Sequence, residues 1–200
     1  MAQREFLLLS ATEPDRLGLV AELTGFIAER GCNIEDTRLV VLGGYAGLMV
    51  LLSGEPDKLQ SVLDGLEELR ARSGIRAAPR RVATRRPEAP ALPQLLVHAS
   101  ALDHEGIVHA LAETVRRHGA NILELEAAAE SAPMSGEPLF RLRMSVRLPS
   151  GAGEADLLLR ELESVAAAEG VTLEVHPAAV PDGTPVVHGP ERRATPRGQG

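Results

Sequence analysis

Asp15, Arg16 and Asn33 are residues with the chemistry to hold a small charged ligand, and Asp103, His104 and Asn121 fill the same places a second time. An aspartate just ahead of a helix accepts hydrogen bonds from first-turn N–H groups and complements the helix dipole. Asparagine offers two donors and an acceptor, enough to read both the carboxylate and the ammonium of an α-amino acid. Three residues after each aspartate stands a glycine, Gly18 or Gly106. With no Cβ there, a ligand carboxylate or a partner backbone can approach the free N–H groups. Each feature also has a plain structural reading. The aspartates would be helix N-caps, the glycines would allow close packing, and the asparagines would suit the turn after Gly31 or Gly119.

Both sets belong to one repeat, 88 residues apart. The first copy is Asp15-Arg16-Leu17-Gly18-Leu19-Val20, then Leu23, then Gly31-Cys32-Asn33-Ile34. The second is Asp103-His104-Glu105-Gly106-Ile107-Val108, then Leu111, then Gly119-Ala120-Asn121-Ile122. Seven identities fall in register without a gap, so the chain is read as one module used twice. Only the first copy brings a permanent positive charge, Arg16, and the stronger anion site is expected there. His98, His104, His109 and His118 suggest a metal, but His104 and His109 lie five apart and point to different faces of a helix. No cysteine or carboxylate cluster completes a set of ligands. No metal and no cofactor are expected, and Cys32 reads as a plain buried thiol.

The elements that must position these residues follow from hydrophobic periodicity. Residues 5–11 read as a buried strand ended by a turn at Glu13-Pro14-Asp15. Leu19, Val20, Leu23 and Ile27 mark a helix over 16–30, with Asp15 as N-cap and Gly31 past its end. Two strands, 33–42 and 45–53, flank a Gly43-Gly44 hairpin turn. A helix over 56–72 and a strand over 75–82 complete βαββαβ. The second half repeats the order: strand 94–100, helix 104–118, strands 121–130 and 138–148, helix 153–169, strand 171–176. The fold class is α+β, two ferredoxin-like βαββαβ domains whose antiparallel sheets carry helices on one face. The domains are 1–82 and 94–177, joined by a Pro-rich linker at 83–93 and followed by a disordered tail over 178–200. The bare sheet face must be covered by something. The run Leu39 to Leu42 lacks strict alternation and predicts burial on both faces, each module covering the other.

Bulk properties exclude several classes. The chain has 200 residues and a formal charge of −7, with only four aromatic residues, Phe6, Phe26, Tyr45 and Phe140. That leaves no stacking platform for single-stranded nucleic acid. Residues 1–82 carry 10 basic and 12 acidic side chains, residues 93–176 six and 13. So acidic a chain repels phosphate, and no direct nucleic-acid or membrane binding is expected. One cysteine fits a reducing compartment. Phe6-Leu7-Leu8-Leu9 is too short for a signal peptide, and a cytoplasmic location is expected.

At Asp-x-x-Gly, a helix, then Gly-x-Asn-Ile, the chain resembles the ACT domain, a small regulatory module that commonly binds amino acids. The tandem pair and the segment from Ala132 to Phe140 (Ala-Pro-Met-Ser-Gly-Glu-Pro-Leu-Phe) resemble the glycine cleavage system transcriptional repressor family. The resemblance spans about residues 4–177. It implies a non-enzymatic regulator that senses an amino acid, glycine among the candidates, at ACT–ACT interfaces. It implies ligand contacts from Asp15, Arg16, Leu17, Gly18, Asn33 and Ile34, and from Asp103, Glu105, Gly106, Asn121 and Ile122. It implies a homodimer and a partner, a DNA-binding regulator, through which transcription of glycine cleavage genes is controlled. A competing expectation is the regulatory subunit or allosteric sensor of an enzyme of amino-acid or one-carbon metabolism. A third is an acylphosphatase-like enzyme using Arg16 and Asn33, but the Thr12-Glu13-Pro14-Asp15 loop carries two carboxylates and no phosphate cradle.

Overall fold

The computed structural model describes residues 4–82, 92–131, 138–149 and 153–178. Most of the linker, the long loop after residue 131 and the C-terminal tail expected from the sequence lie outside these residues. The chain divides into two units, Met1–Pro87 and Glu88–Gly200. The first contains β1 (Glu5–Pro14), α1 (Leu19–Glu29), β2 (Asn33–Leu42), β3 (Tyr45–Gly54), α2 (Pro56–Asp64), α3 (Leu66–Ser73) and β4 (Ala77–Val82). The second contains β5 (Gln94–Leu102), α4 (Ile107–Arg117), β6 (Asn121–Ser131), β7 (Pro138–Arg147), α5 (Glu154–Ala168) and β8 (Thr172–Ala178). Strand orders are β2-β3-β1-β4 and β6-β7-β5-β8, antiparallel throughout. This is the split βαβ arrangement expected, twice. No helix among the described residues is long and apolar enough to cross a membrane.

Alternation sets the core. Leu7, Leu9 and Ala11 on β1 register with Leu52, Val50 and Leu48 on β3, and all six are buried. Against them α1 lays Leu19, Leu23, Phe26 and Ile27, one stripe at helical spacing. In the second unit Val97, Ala99 and Ala101 register with Met144, Leu142 and Phe140, under Ile107 and Leu111 of α4 and Leu158 and Leu162 of α5. The Gly43-Gly44 turn joins β2 to β3 with φ of 57° and 82°, the left-handed pair that a tight hairpin demands.

Four details differ from the periodic reading. The helices begin at Leu19 and Ile107, because Gly18 (φ 87°) and Gly106 (φ 98°) are left-handed and cannot join a right-handed turn. They hold the N-cap positions, so Asp15 and Asp103 are not caps. Instead, the Asp15 N–H donates to the Gly44 carbonyl at 2.9 Å and the Asp103 N–H to the Pro138 carbonyl at 3.0 Å. β1 runs on through Glu13 and Pro14 rather than turning there. Pro14 pairs only with Tyr45, since β4 stops opposite Ala11, so its missing N–H costs no ladder bond. The buried Glu13 carboxylate accepts the Arg76 N–H at 2.7 Å.

The helix read over 56–72 breaks at Gly65 into α2 and α3. The guanidinium of Arg30 occupies the space a Cβ at 65 would need. It lies 3.7 Å over the Phe26 ring and donates to the carbonyls of Ser61 and Phe26. Finally, Leu39, Val40, Val41 and Leu42 are each 49–69% exposed within this chain, rather than buried on both faces. They lie on β2, the edge strand of the first sheet.

Candidate functional site

The repeated motif is split between the two ends of each module. Asp15 lies beside the Gly43-Gly44 hairpin, whereas Asn33 opens β2 and registers with Ser53 at the far end of β3. Ten residues of strand at about 3.3 Å each put the two roughly 30 Å apart. Within one module, therefore, Arg16 and Asn33 do not converge, and an acylphosphatase-like pairing of the two is excluded.

At the loop end, Arg16 is committed to its own module. Its two terminal nitrogens hold Glu22 at 2.8 and 2.5 Å, and they also donate to the carbonyls of Leu17 and Ser73. The Glu22 carboxyl is held below the ordinary carboxylate range by this pair. Arg16 thereby ties the β1–α1 loop to the C-terminus of α3. Leu17 is 99% exposed. His104 makes the same tie in the second unit: Nε2 meets the Glu169 carbonyl at 2.9 Å and Nδ1 the Glu105 carbonyl at 3.0 Å.

A neutral imidazole carries one N–H and can satisfy only one of those two carbonyls; the protonated ring donates to both. The carbonyls of Glu169 and Glu105 accordingly raise the His104 pKa above its ordinary 6.5. A raised folded pKa means the tie stabilises most below the unfolded value and weakens as pH rises through the folded one. Hydrogen-exchange protection around residues 103–107, corrected for intrinsic rates, should therefore fall across that interval. His104→Gln should flatten the dependence. The Arg16 tie stays charged throughout and should show none.

At the other end, Asn33 is exposed and its Nδ2 donates to Glu35 Oε1 at 3.0 Å. The same oxygen accepts the Ser53 hydroxyl at 2.5 Å, and Arg4 stands 3.9 Å away. Glu35 sits at a β-bulge: the β2–β3 register slips between Ile34 and Asp36. A bulge re-aims the side chain it carries, and here it delivers a carboxylate to Asn33 and Ser53. These two residues, with Arg4, Gly54, Glu55 and Lys58, line a cavity of about 270 Å³. Periodicity gave no warning of Glu35, Ser53, Arg4 or Lys58.

Asn121 is likewise exposed and opens β6. Ile34 and Ile122 pack against the two cores, so their side chains serve folding. Asp103, Glu105 and Gly106 are exposed on the second loop. Among the described residues no group of three or more His, Cys, Asp or Glu could hold a metal. His118 instead bridges to Glu161 at 2.6 Å. Burial raises the pKa of the Cys32 thiol.

Residues 5–78 match the ACT domain family, and the second unit repeats its strand order and its motif. The first unit is matched as an ACT domain, and the second shares its fold. The chain is 25% identical over 157 residues to the glycine cleavage system transcriptional repressor of Escherichia coli (strain K12), covering 78% of this chain and 82% of that one. The glycine cleavage system transcriptional repressor of Shigella flexneri is similar to the same extent. Among solved structures, a protein of unknown function from Galdieria sulphuraria superposes with a TM-score of 0.76 at 25% identity, covering 88% of this chain and all of that one. A structure provisionally assigned as a glycine cleavage system transcriptional repressor superposes at 0.69 and 21% identity, over 88% and 99% of the two chains, which shows a shared fold.

Proposed function

We propose that this tandem ACT protein is a non-enzymatic regulator that senses an amino acid, glycine among the candidates, and controls transcription of glycine cleavage genes through a DNA-binding partner. One observation carries the sensing. Of the seven repeated identities, four have a folding role: Gly18/Gly106 and Gly31/Gly119 take positive φ, Leu23/Leu111 are buried, and Ile34/Ile122 pack on the cores. The other three pairs, Asp15/Asp103, Val20/Val108 and Asn33/Asn121, are exposed. Asp15 and Asp103 use only their main-chain N–H in the hairpin bonds, which any residue but proline supplies. Repeated exposed residues with no folding role are the signature of recognition. The extension to glycine cleavage genes rests on the likeness to the repressors over both modules.

A second copy of the chain completes the site in this reading. An apolar edge strand such as β2 is a template for another strand. Antiparallel β2–β2 pairing would set the Asn33 end of one protomer beside the Asp15–Gly18 loop of its partner. The two halves of the motif would then meet. β6 carries Ala127, Ala128, Ala129 and Glu130 on the corresponding stretch, a smaller and more acidic edge. Light scattering should find a dimer, and Val40→Lys with Val41→Lys should give a monomer.

A thermal-shift screen against the protein amino acids tests the sensing. A ligand at 100 times its Kd should stabilise the folded state by about 2.7 kcal/mol, and Asn33→Ala should reduce the shift. Stabilisation by none of them would sink the reading. Tight, salt-resistant, sequence-specific DNA binding by the pure protein would sink the need for a partner.

A further inference from the structure

We infer that the first modules alone make the dimer, pairing their β2 strands in the one register that centres on Thr37 and sets Asp36 of each protomer against Arg38 of its partner. This rests on the edge pairing proposed above, and it fixes which edge is used and where it is gripped.

The hairpin decides which residues of β2 can bond a new strand. Leu42 and Tyr45 close the two-residue Gly43-Gly44 turn and so share its hydrogen bond. Alternation along the ladder then turns the main chain of Val40, Arg38 and Asp36 toward β3, and that of Val41, Leu39 and Thr37 toward the open edge. An incoming antiparallel β2 must match outward groups to outward groups, so a slip of one residue loses the ladder. Among the registers that remain, charge chooses. Asp36 and Arg38 are exposed, share one face and already meet within the chain at 3.0 Å. Their neighbours on β3 are Leu51 and Met49, which bring no charge to that row. With the two Thr37 residues opposite each other, each Asp36 stands across from the partner's Arg38 in a non-hydrogen-bonded pair, where side chains approach closely. Four charges then alternate in sign around the two-fold axis. Moving that axis by one residue sets Arg38 against Arg38 or Asp36 against Asp36. The register centred on Leu39 overlaps more apolar residues, but it lays Asp36 against Leu42 and Arg38 against Val40.

The second module lacks this pattern. Its bulge, between Ile122 and Glu124, matches the one between Ile34 and Asp36. Glu124 therefore stands where Asp36 does, and Glu126 where Arg38 does. Both are exposed on β6, the edge strand. Two β6 strands in the same register would oppose Glu124 to Glu126 twice, and like charges directly opposite destabilise a pair. Arg143 registers with Glu126 from the β7 side; it softens that charge but gives the new strand no base to meet. A β2–β6 pair would gain one opposite-charge pair and one like-charge pair. β6 also offers Ala127, Ala128 and Ala129 where β2 has Leu39, Val40 and Val41, so less apolar area would be covered. Only β2–β2 pairing is attractive throughout. Being isologous, it closes after two chains instead of propagating.

Sedimentation equilibrium of the full chain at low ionic strength tests this by charge exchange. Asp36→Arg and Arg38→Asp should each weaken the dimer at least tenfold, since each puts like charges across the axis. Mixing the two variants should restore wild-type affinity, because one edge then carries two bases and the other two acids. That rescue also shows that both variants fold. Salt should loosen the wild-type dimer and tighten that of either variant alone. Glu126→Gln in the second module should leave the dimer unchanged. Thr37→Cys combined with Cys32→Ser should form an intermolecular disulfide on oxidation, because Cα atoms of a facing pair lie about 5.5 Å apart. Leu39→Cys in the same background should not. A dimer indifferent to both charge variants, a mixture that fails to re-form it, or a disulfide at 39 and not at 37 would overturn the inference. β2 pairing itself would still stand if Val40→Lys with Val41→Lys gave a monomer. A chain that never dimerises would remove both.

Discussion

Leu23→Ala and Leu111→Ala should each lower the unfolding free energy by about 2–5 kcal/mol, the range for removing a fully buried leucine side chain. The two residues sit at the same place in the two repeats and are each 1% exposed. Leu23 packs from α1 onto the sheet carrying Leu7, Leu9 and Leu52; Leu111 packs from α4 over Val97 and Met144. Both side chains belong to apolar core clusters, so the missing methyl groups leave voids and the lining loses its contacts outright. Urea denaturation followed by circular dichroism, fitted with an unchanged m-value, measures the loss. Asn33→Ala and Asn121→Ala are the contrast. Both side chains are exposed, and each should change stability by no more than about 0.5 kcal/mol. A loss above 2 kcal/mol in either would make the asparagine a structural residue and remove it from the candidate site.

The second large effect concerns the glycines that start the helices. Gly18 and Gly106 have φ of 87° and 98°, where a β-branched side chain is strained. Gly18→Val and Gly106→Val should each cost about 1–3 kcal/mol. The order across substitutions should be asparagine mildest, alanine next, valine worst, because asparagine visits the left-handed region most readily. The two sites differ in one respect. A Cβ at 106 meets nothing within 4 Å, so its cost is strain alone. A Cβ at 18 would stand 3.3 Å from Glu22 Oε1 and press on the carboxylate that Arg16 grips. Gly18→Ala should therefore cost more than Gly106→Ala and should also loosen the Arg16 tie to Ser73. Equal costs would mean that Glu22 yields freely.

Much of the fold was legible because it is written in period and punctuation. Leu7, Leu9 and Ala11 alternate; Leu19, Leu23 and Ile27 keep helical spacing; Gly43-Gly44 can hardly be anything but a hairpin. Two readings failed for local reasons. Asp15 and Asp103 looked like N-caps because aspartate before an apolar helix usually is one, but a left-handed glycine three residues on delays the helix and takes the cap position. The helix over 56–72 shows no break in its period, since nothing in the sequence says that Arg30 will lie across Gly65, 35 positions later.

The candidate site was legible only at its repeated residues. Counting outward from Leu42 opposite Tyr45, an unbroken hairpin would set Asn33 against Gly54. The bulge at Glu35 sets it against Ser53 instead. That one-residue slip brings Ser53, Asn33 and Glu35 together, and a β-bulge has no fixed residue signature when no glycine marks it. Glu35 therefore read as an ordinary residue on a strand. Arg4 and Lys58 come from the chain start and from α2, and only the closed sheet brings them to the same rim.

The most direct test of the account is amide chemical-shift mapping of the isotopically labelled full chain during titration with amino acids. The account predicts that one amino acid moves the resonances of Asn33, Ile34 and Glu35, those of Ser53 to Lys58 around them, and those of the Asp15–Gly18 loop that a second protomer would bring alongside. Saturation with every protein amino acid and no movement at either end of the motif would contradict it.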